Sequence, residues 1–249
     1  MDEVTSNHID RVIMQSQQEN KAPSLFATAF WAIVLFILPG SIVGFGFGVY
    51  SDMVAIENTN AWFAQVEVMI AMTFCIYFLI LPMVFLLVRA FGDNTSVKDY
   101  LNLAYHPLGL WGKITLLTIL FWGLFTLLGF MLDIPEEPFM LQLKNSSLPV
   151  WFIVLNVCAL APIVEELVFR GFLFKRIELT KLGTVGAAVI TSLIFAAIHS
   201  QYSVIGVAMV FLLGLYFTWL RVKYRSTSLC IACHSVCNIL TMVALYFFM

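Results

Sequence analysis

The chain has 249 residues, of which 61% are hydrophobic and only 11% charged, with a net charge of −2. Soluble domains carry roughly 25% charged residues, so there is too little polar surface here to cover a water-facing globule. The charge balance gives nucleic acid no footing, and membrane lipids are the expected surroundings.

The first 24 residues form a polar tail, expected on the cytoplasmic side. No basic stretch followed by a short apolar core marks it as a cleavable signal peptide. Asp2 stands where myristoylation needs glycine.

From residue 25 to 249 the pattern predicts one membrane-embedded helical domain, an all-α polytopic bundle. Spanning a bilayer takes about 20 apolar residues. About seven segments meet or approach that length: 25–50, 61–88, 114–132, 149–174, 184–200, 204–220 and 229–248. The first carries Pro39 and then Gly40, Gly44 and Gly48, a small-residue spacing that lets helices approach; packing inside the bundle is its plainer reading and a dimer face the other. In the fourth, Pro162 frees the carbonyl of Cys158 and predicts a kink. The fifth and sixth are short and joined by Ser200-Gln201-Tyr202-Ser203, a tight helical hairpin. No internal repeat of the transporter kind is evident.

Lysine and arginine set the orientation. Arg11 and Lys21, then Arg89, Lys98 and Lys113, then Arg170, Lys175, Arg176 and Lys181, then Arg221, Lys223 and Arg225 fall on one side, and only Lys144 on the other. By the positive-inside rule the N-terminus is cytoplasmic and the C-terminus on the far side of a cell membrane. The five cysteines, Cys75, Cys158, Cys230, Cys233 and Cys237, all lie in apolar stretches, which argues against a secreted disulfide framework. The run Cys230-x-x-Cys233-x-x-x-Cys237 reads as packing residues more readily than as a metal or redox site.

The fourth segment also holds two carboxylates and a guanidinium: Glu165-Glu166-Leu-Val-Phe-Arg170. Charges at that depth need a partner, an aqueous cavity or a function. Glu166 and Arg170, at i and i+4, share a face and can pair. Glu165, rotated by about 100° from Glu166, needs a partner elsewhere. The fifth segment offers Phe195-Ala-Ala-Ile-His199 and the seventh His234-Ser-Val-Cys-Asn238. Glu165 and His199 are equidistant from the reversal at Gly183, each about 25 Å along its helix at ~1.5 Å per residue, so an antiparallel hairpin brings them level. Each element alone has a bland reading, a hydrogen-bonded core histidine or a pair that locks two helices. The joint set, brought level by spacing, favours a site. His8 and His106 lie in the tail and a connection and carry no assignment.

Glu-Glu-x-x-x-Arg, then Phe-x-x-x-His, then His-x-x-x-Asn on successive membrane segments resembles the CPBP family, the CAAX prenyl-endopeptidases and bacteriocin-processing or immunity enzymes also called Abi. The resemblance covers about residues 150–240. The chain has seven spans where the eukaryotic and archaeal CAAX enzymes carry an eighth. The resemblance implies hydrolysis of a peptide bond in a membrane-associated or lipidated protein or peptide. Glu165 and His199 would hold and deprotonate a water. His234 and Asn238 would donate to the oxyanion, and Glu166, Arg170 and Phe195 would support them. A Zn²⁺ version, with Glu165, His199 and His234 as ligands, stands equally open. There is no His-Glu-x-x-His helix of the soluble zinc-peptidase kind. A non-catalytic scaffold or immunity protein and a proton-coupled transporter are the readings from other classes. The sequence does not fix the oligomeric state.

Overall fold

The computed structural model describes residues 23–92 and 95–248. His8, Arg11, Lys21 and the Met1-Asp2 reading lie outside the described residues. Seven long apolar helices make a bundle, and no strand occurs among the described residues: α1 Leu25–Met53, α2 Val66–Phe91, α3 Leu108–Met131, α4 Val150–Glu178, α5 Gly183–Ala197, α6 Val204–Tyr224 and α7 Thr227–Phe247. Six are long and apolar enough to cross a membrane, and α5 is shorter. The chain is a multi-pass membrane protein. Phe45, Phe130, Val204 and Phe247 point outward from the bundle, where lipid tails replace water as solvent.

Local chemistry sets the helix ends. Ser24, Ser203 and Ser226 cap α1, α6 and α7, each hydroxyl accepting from a backbone N–H three residues on. Gly183, at the reversal expected from its position, has φ +58°, a left-handed conformation that glycine adopts at no steric cost. Arg225 closes α6 at φ 48°.

Several boundaries differ from the sequence reading. α2 begins at Val66 because Thr59–Phe63 forms a separate short helix capped by Asn58. α3 begins at Leu108, six residues before the expected start, directly after Pro107. The α3–α4 connection contains an unexpected short helix, Pro138–Lys144, with proline at its first position. α4 runs on to Glu178, so Arg170 and Arg176 lie buried in the bundle rather than in a charged connection. Arg221 is likewise buried. The glycine stripe of α1 does not pack tightly: a Cβ at Gly40, Gly46 or Gly48 would meet nothing within 4 Å, and one at Gly44 would only reach Met72 Cε at 4.0 Å.

Pro162 does not break α4. The helix widens into π turns at Leu155–Leu160, returns to α geometry at Ala161–Glu166, and widens again at Leu167–Leu173. The Ala161 N–H bonds the Asn156 carbonyl, five residues back, instead of that of Val157. That shift leaves the Val157 carbonyl available to another helix. π turns of this kind recur at functional sites.

Candidate active site

The acid pair sits on the single α-helical stretch between the two π stretches of α4. Glu166 is fully buried, and its Oε1 accepts from Arg170 Nη1 at 3.0 Å and from His234 Nδ1 at 3.0 Å. The i, i+4 pair expected from the sequence is therefore present, and it has a third member on α7. Arg170 has no exposed surface; its Nη2 donates to the Gly214 carbonyl at 2.8 Å. That reach depends on a missing side chain, since a Cβ at Gly214 would lie 3.3 Å from Nη2 and 3.1 Å from Ser192 Cβ. The guanidinium also lies over the Phe195 ring at 4.6 Å.

Glu165 faces the other way, as its rotation requires. Its Oε1 accepts from the Tyr77 hydroxyl of α2 at 2.7 Å. Its Oε2 is buried, has no hydrogen-bond partner among the described residues, and lies 3.9 Å from His234 Nε2. A buried carboxylate oxygen without a partner costs on the order of 1–3 kcal/mol, so the fold carries it at the expense of stability.

His199 lies just past the end of α5 rather than within it. Its own N–H bonds Ala196, three residues back, while its Nδ1 sits 2.7 Å from the Phe195 carbonyl. A carbonyl only accepts, so Nδ1 carries a proton and Nε2 is the nitrogen left to meet a water. Phe195 is central to the cluster: its ring packs on His199 at 4.8 Å, His234 at 5.8 Å and Phe169 at 5.3 Å. The Phe217 ring stacks on His234 at 4.9 Å. Asn238, one turn beyond His234, donates its amide to the Val157 carbonyl at 2.7 Å, the oxygen released by the π turn.

Glu165, His199, His234 and Asn238 all line one cavity of about 910 Å³. Its walls are mostly apolar, with Phe121, Trp122 and Phe125 on α3 and Met69 and Ile80 on α2. Large apolar cavities holding a few convergent polar groups are the usual setting of binding sites.

Four contributors had no motif to mark them. Tyr77 holds Glu165. Asn156 fixes α2 against α4 by donating to the Ile70 carbonyl at 3.0 Å. Tyr202 stacks on His199 at 6.0 Å. Burial, and then the charges of Glu165 and Glu137, push its phenol up to about 12, so it keeps its proton. Glu137 binds the Ser203 N–H at 2.8 Å and its hydroxyl at 2.6 Å, which ties the α3–α4 connection to the α5–α6 hairpin. Tyr77 did leave a faint trace: it stands mid-span, whereas tyrosines favour membrane interfaces.

Among the described residues no three His, Cys, Asp or Glu side chains gather closely enough to hold a metal ion. Glu165, His199 and His234 surround one cavity but are not drawn into a metal site in this arrangement. Cys230, Cys233 and Cys237 are buried in packing with Ile114, Tyr216 and Phe217.

A family model described as type II CAAX prenyl endopeptidase Rce1-like matches residues 146–240. Over those residues the chain is similar to that family. The Rce1-like segment takes in α4 through most of α7, and so all four motif residues of the cavity. A curated relative, an uncharacterized 24.3 kDa protein of Escherichia coli, is 38% identical over 111 residues, which is 43% of this chain and 51% of the relative. The chain thus spans about half the length of that relative. No solved structure matches.

Proposed function

We propose that the chain is an intramembrane endopeptidase that hydrolyses a peptide bond of a membrane-associated or lipidated protein or peptide. The observation that carries this reading is the convergence of Glu165, His199, His234 and Asn238 from three parts of the chain on one cavity. Within it, Glu165 presents a free carboxylate oxygen and His199 a free ring nitrogen.

In the proposed reaction a water enters between Glu165 Oε2 and His199 Nε2. One of them takes its proton as the water oxygen attacks the scissile carbonyl carbon. The tetrahedral oxyanion collapses, the C–N bond breaks, and the stored proton passes to the departing nitrogen. The products are a carboxylate and an amine. His234 is the oxyanion donor of this reading, its ring fixed by the partners around it. Nδ1 already donates to Glu166, Nε2 faces Glu165, and Phe217 stacks on the ring. Asn238 sits beside this donor, and Glu166 with Arg170 fixes the stretch that carries Glu165. Zn²⁺ on Glu165, His199 and His234 remains the alternative water activator; nothing in the hydrolysis above is routed through it.

The charge distribution supports a cytoplasmic N-terminus and a C-terminus on the far side of the cell membrane.

The test is cleavage of a prenylated CAAX peptide by purified protein in detergent, beside comparative membrane proteomics of wild type against a Glu165→Ala strain. Glu165→Ala, His199→Ala and His234→Ala are each expected to abolish cleavage while the protein still inserts and purifies. Asn238→Ala should lose on the order of 10²–10³ in rate, the cost of one oxyanion donor. A variant within a few-fold of wild type removes that residue from the mechanism. Unchanged proteomes together with an uncleaved peptide sink the peptidase reading.

A further inference from the structure

We infer that Tyr77 of α2 is a positioning residue for Glu165, so that the reactive carboxylate is set by a helix outside the Rce1-like segment; this rests on the peptidase reading above.

An ionised carboxylate has two equivalent oxygens and about four acceptor sites, and on its helix it can spin about its last torsion. Here one oxygen is held and the other is not. The Tyr77 hydroxyl donates to Oε1 at 2.7 Å, while Oε2 stays unpartnered, 3.9 Å from His234 Nε2. A phenol is a donor of fixed reach on a ring with only two side-chain torsions, so it selects which oxygen faces the histidines. The ring lines the same cavity as the four motif residues.

The register of Tyr77 is itself fixed. Asn156 of α4 donates to the Ile70 carbonyl at 3.0 Å. Ile70 and Tyr77 are seven residues apart, hence on the same side of α2. Below them Ile80, Val84 and Leu87 of α2 pack in one core with Val164, Leu167 and Val168 of α4. α2 is thereby tied to α4 on both sides of Tyr77, and the phenol has little freedom to leave Glu165. Pure packing would need the ring and not the hydroxyl.

Tyr77→Phe removes one oxygen and keeps the ring. With the prenylated CAAX peptide, kcat is expected to fall about 10²-fold, the scale of a misplaced reacting group, with KM within twofold of wild type. A merely structural tyrosine would leave kcat per folded molecule intact, whatever happens to the melting temperature. A thermal-shift cycle gives a readout independent of activity. Tyr77→Phe should lower Tm in the wild-type background, where it strips Glu165 of its donor. In a Glu165→Ala background it should leave Tm level or raise it, because the phenol there has already lost its acceptor. An equal Tm change in both backgrounds overturns the contact. Tyr77→Phe that cleaves within a few-fold of wild type, or that fails through KM alone, overturns the inference and leaves the peptidase reading standing. Wild type that cleaves nothing overturns both, and the cycle still separates that failure from one at Tyr77.

Discussion

Glu166→Ala should destabilise the bundle, and Glu165→Gln should not. Glu166 Oε1 is the shared acceptor of Arg170 and His234, and both partners are buried. Its removal leaves the Arg170 guanidinium with the Gly214 carbonyl and the faces of Phe195, Phe217 and Phe169. Breaking a buried pair costs about 3–5 kcal/mol. The ring faces offset about 1 kcal/mol of that, so a net loss of roughly 2–4 kcal/mol is expected. For a chain of this length that is a fall in Tm of about 5–15 °C. Glu165→Gln keeps an acceptor for Tyr77 and discharges an oxygen that has no partner, so Tm should stay within about 2 °C of wild type or rise. Cleavage should be lost in both. Replacing Glu166 and Arg170 together by leucine should recover much of the lost Tm, since apolar residues often substitute for a buried pair, without restoring activity. The assay is a thermal-shift series on purified variants beside peptide cleavage. An unstable Glu165→Gln and a stable, inactive Glu166→Ala would reverse the roles given to the two carboxylates.

If Zn²⁺ held by Glu165, His199 and His234 activates the water, chelator-treated protein should lose cleavage and regain it on adding Zn²⁺. Full activity in protein shown by elemental analysis to hold no metal would refute the Zn²⁺ version and leave the metal-free one. For orientation, an alkaline phosphatase fused to the C-terminus should be active and a green fluorescent protein there dark, as a C-terminus on the far side requires. The opposite pattern refutes it.

The bundle was legible in the sequence because a bilayer demands long apolar segments, and all seven appear within a few residues of their expected places. The Glu166–Arg170 pair followed from helical period alone and survives a π stretch between its members. Helical period also separated Glu165 from that pair and left it in need of another partner. It could not name Tyr77, whose contact is 88 positions away in sequence on a helix with no motif. Nor could it show that His199 leaves its helix, because that depends on a side chain competing for the Phe195 carbonyl. Charge counting treated Arg170, Arg176 and Arg221 as side markers, whereas all three are buried. Arg176 lies over the Phe91 ring at 4.1 Å and Arg221 donates to the Arg170 carbonyl at 2.9 Å, partners that no local pattern announces.

The wide turns of α4 separate two properties that a helix normally keeps together. A π turn amounts to an α-helix with an extra residue absorbed in its hydrogen-bond ladder. Deleting one residue within 155–160 would let that ladder close as ordinary α-helix, and the helix itself would be no weaker. Because the extra residue is absorbed in the wider turn, the helix beyond the deletion would keep nearly the same angular phase. Glu165 and Glu166 would still face Tyr77 and His234, but the Val157 carbonyl that receives Asn238 would be drawn back into its own helix. The wide turn thus frees a carbonyl at the cavity wall without turning the acid pair, and a span one residue shorter would keep its face and lose the acceptor that holds Asn238.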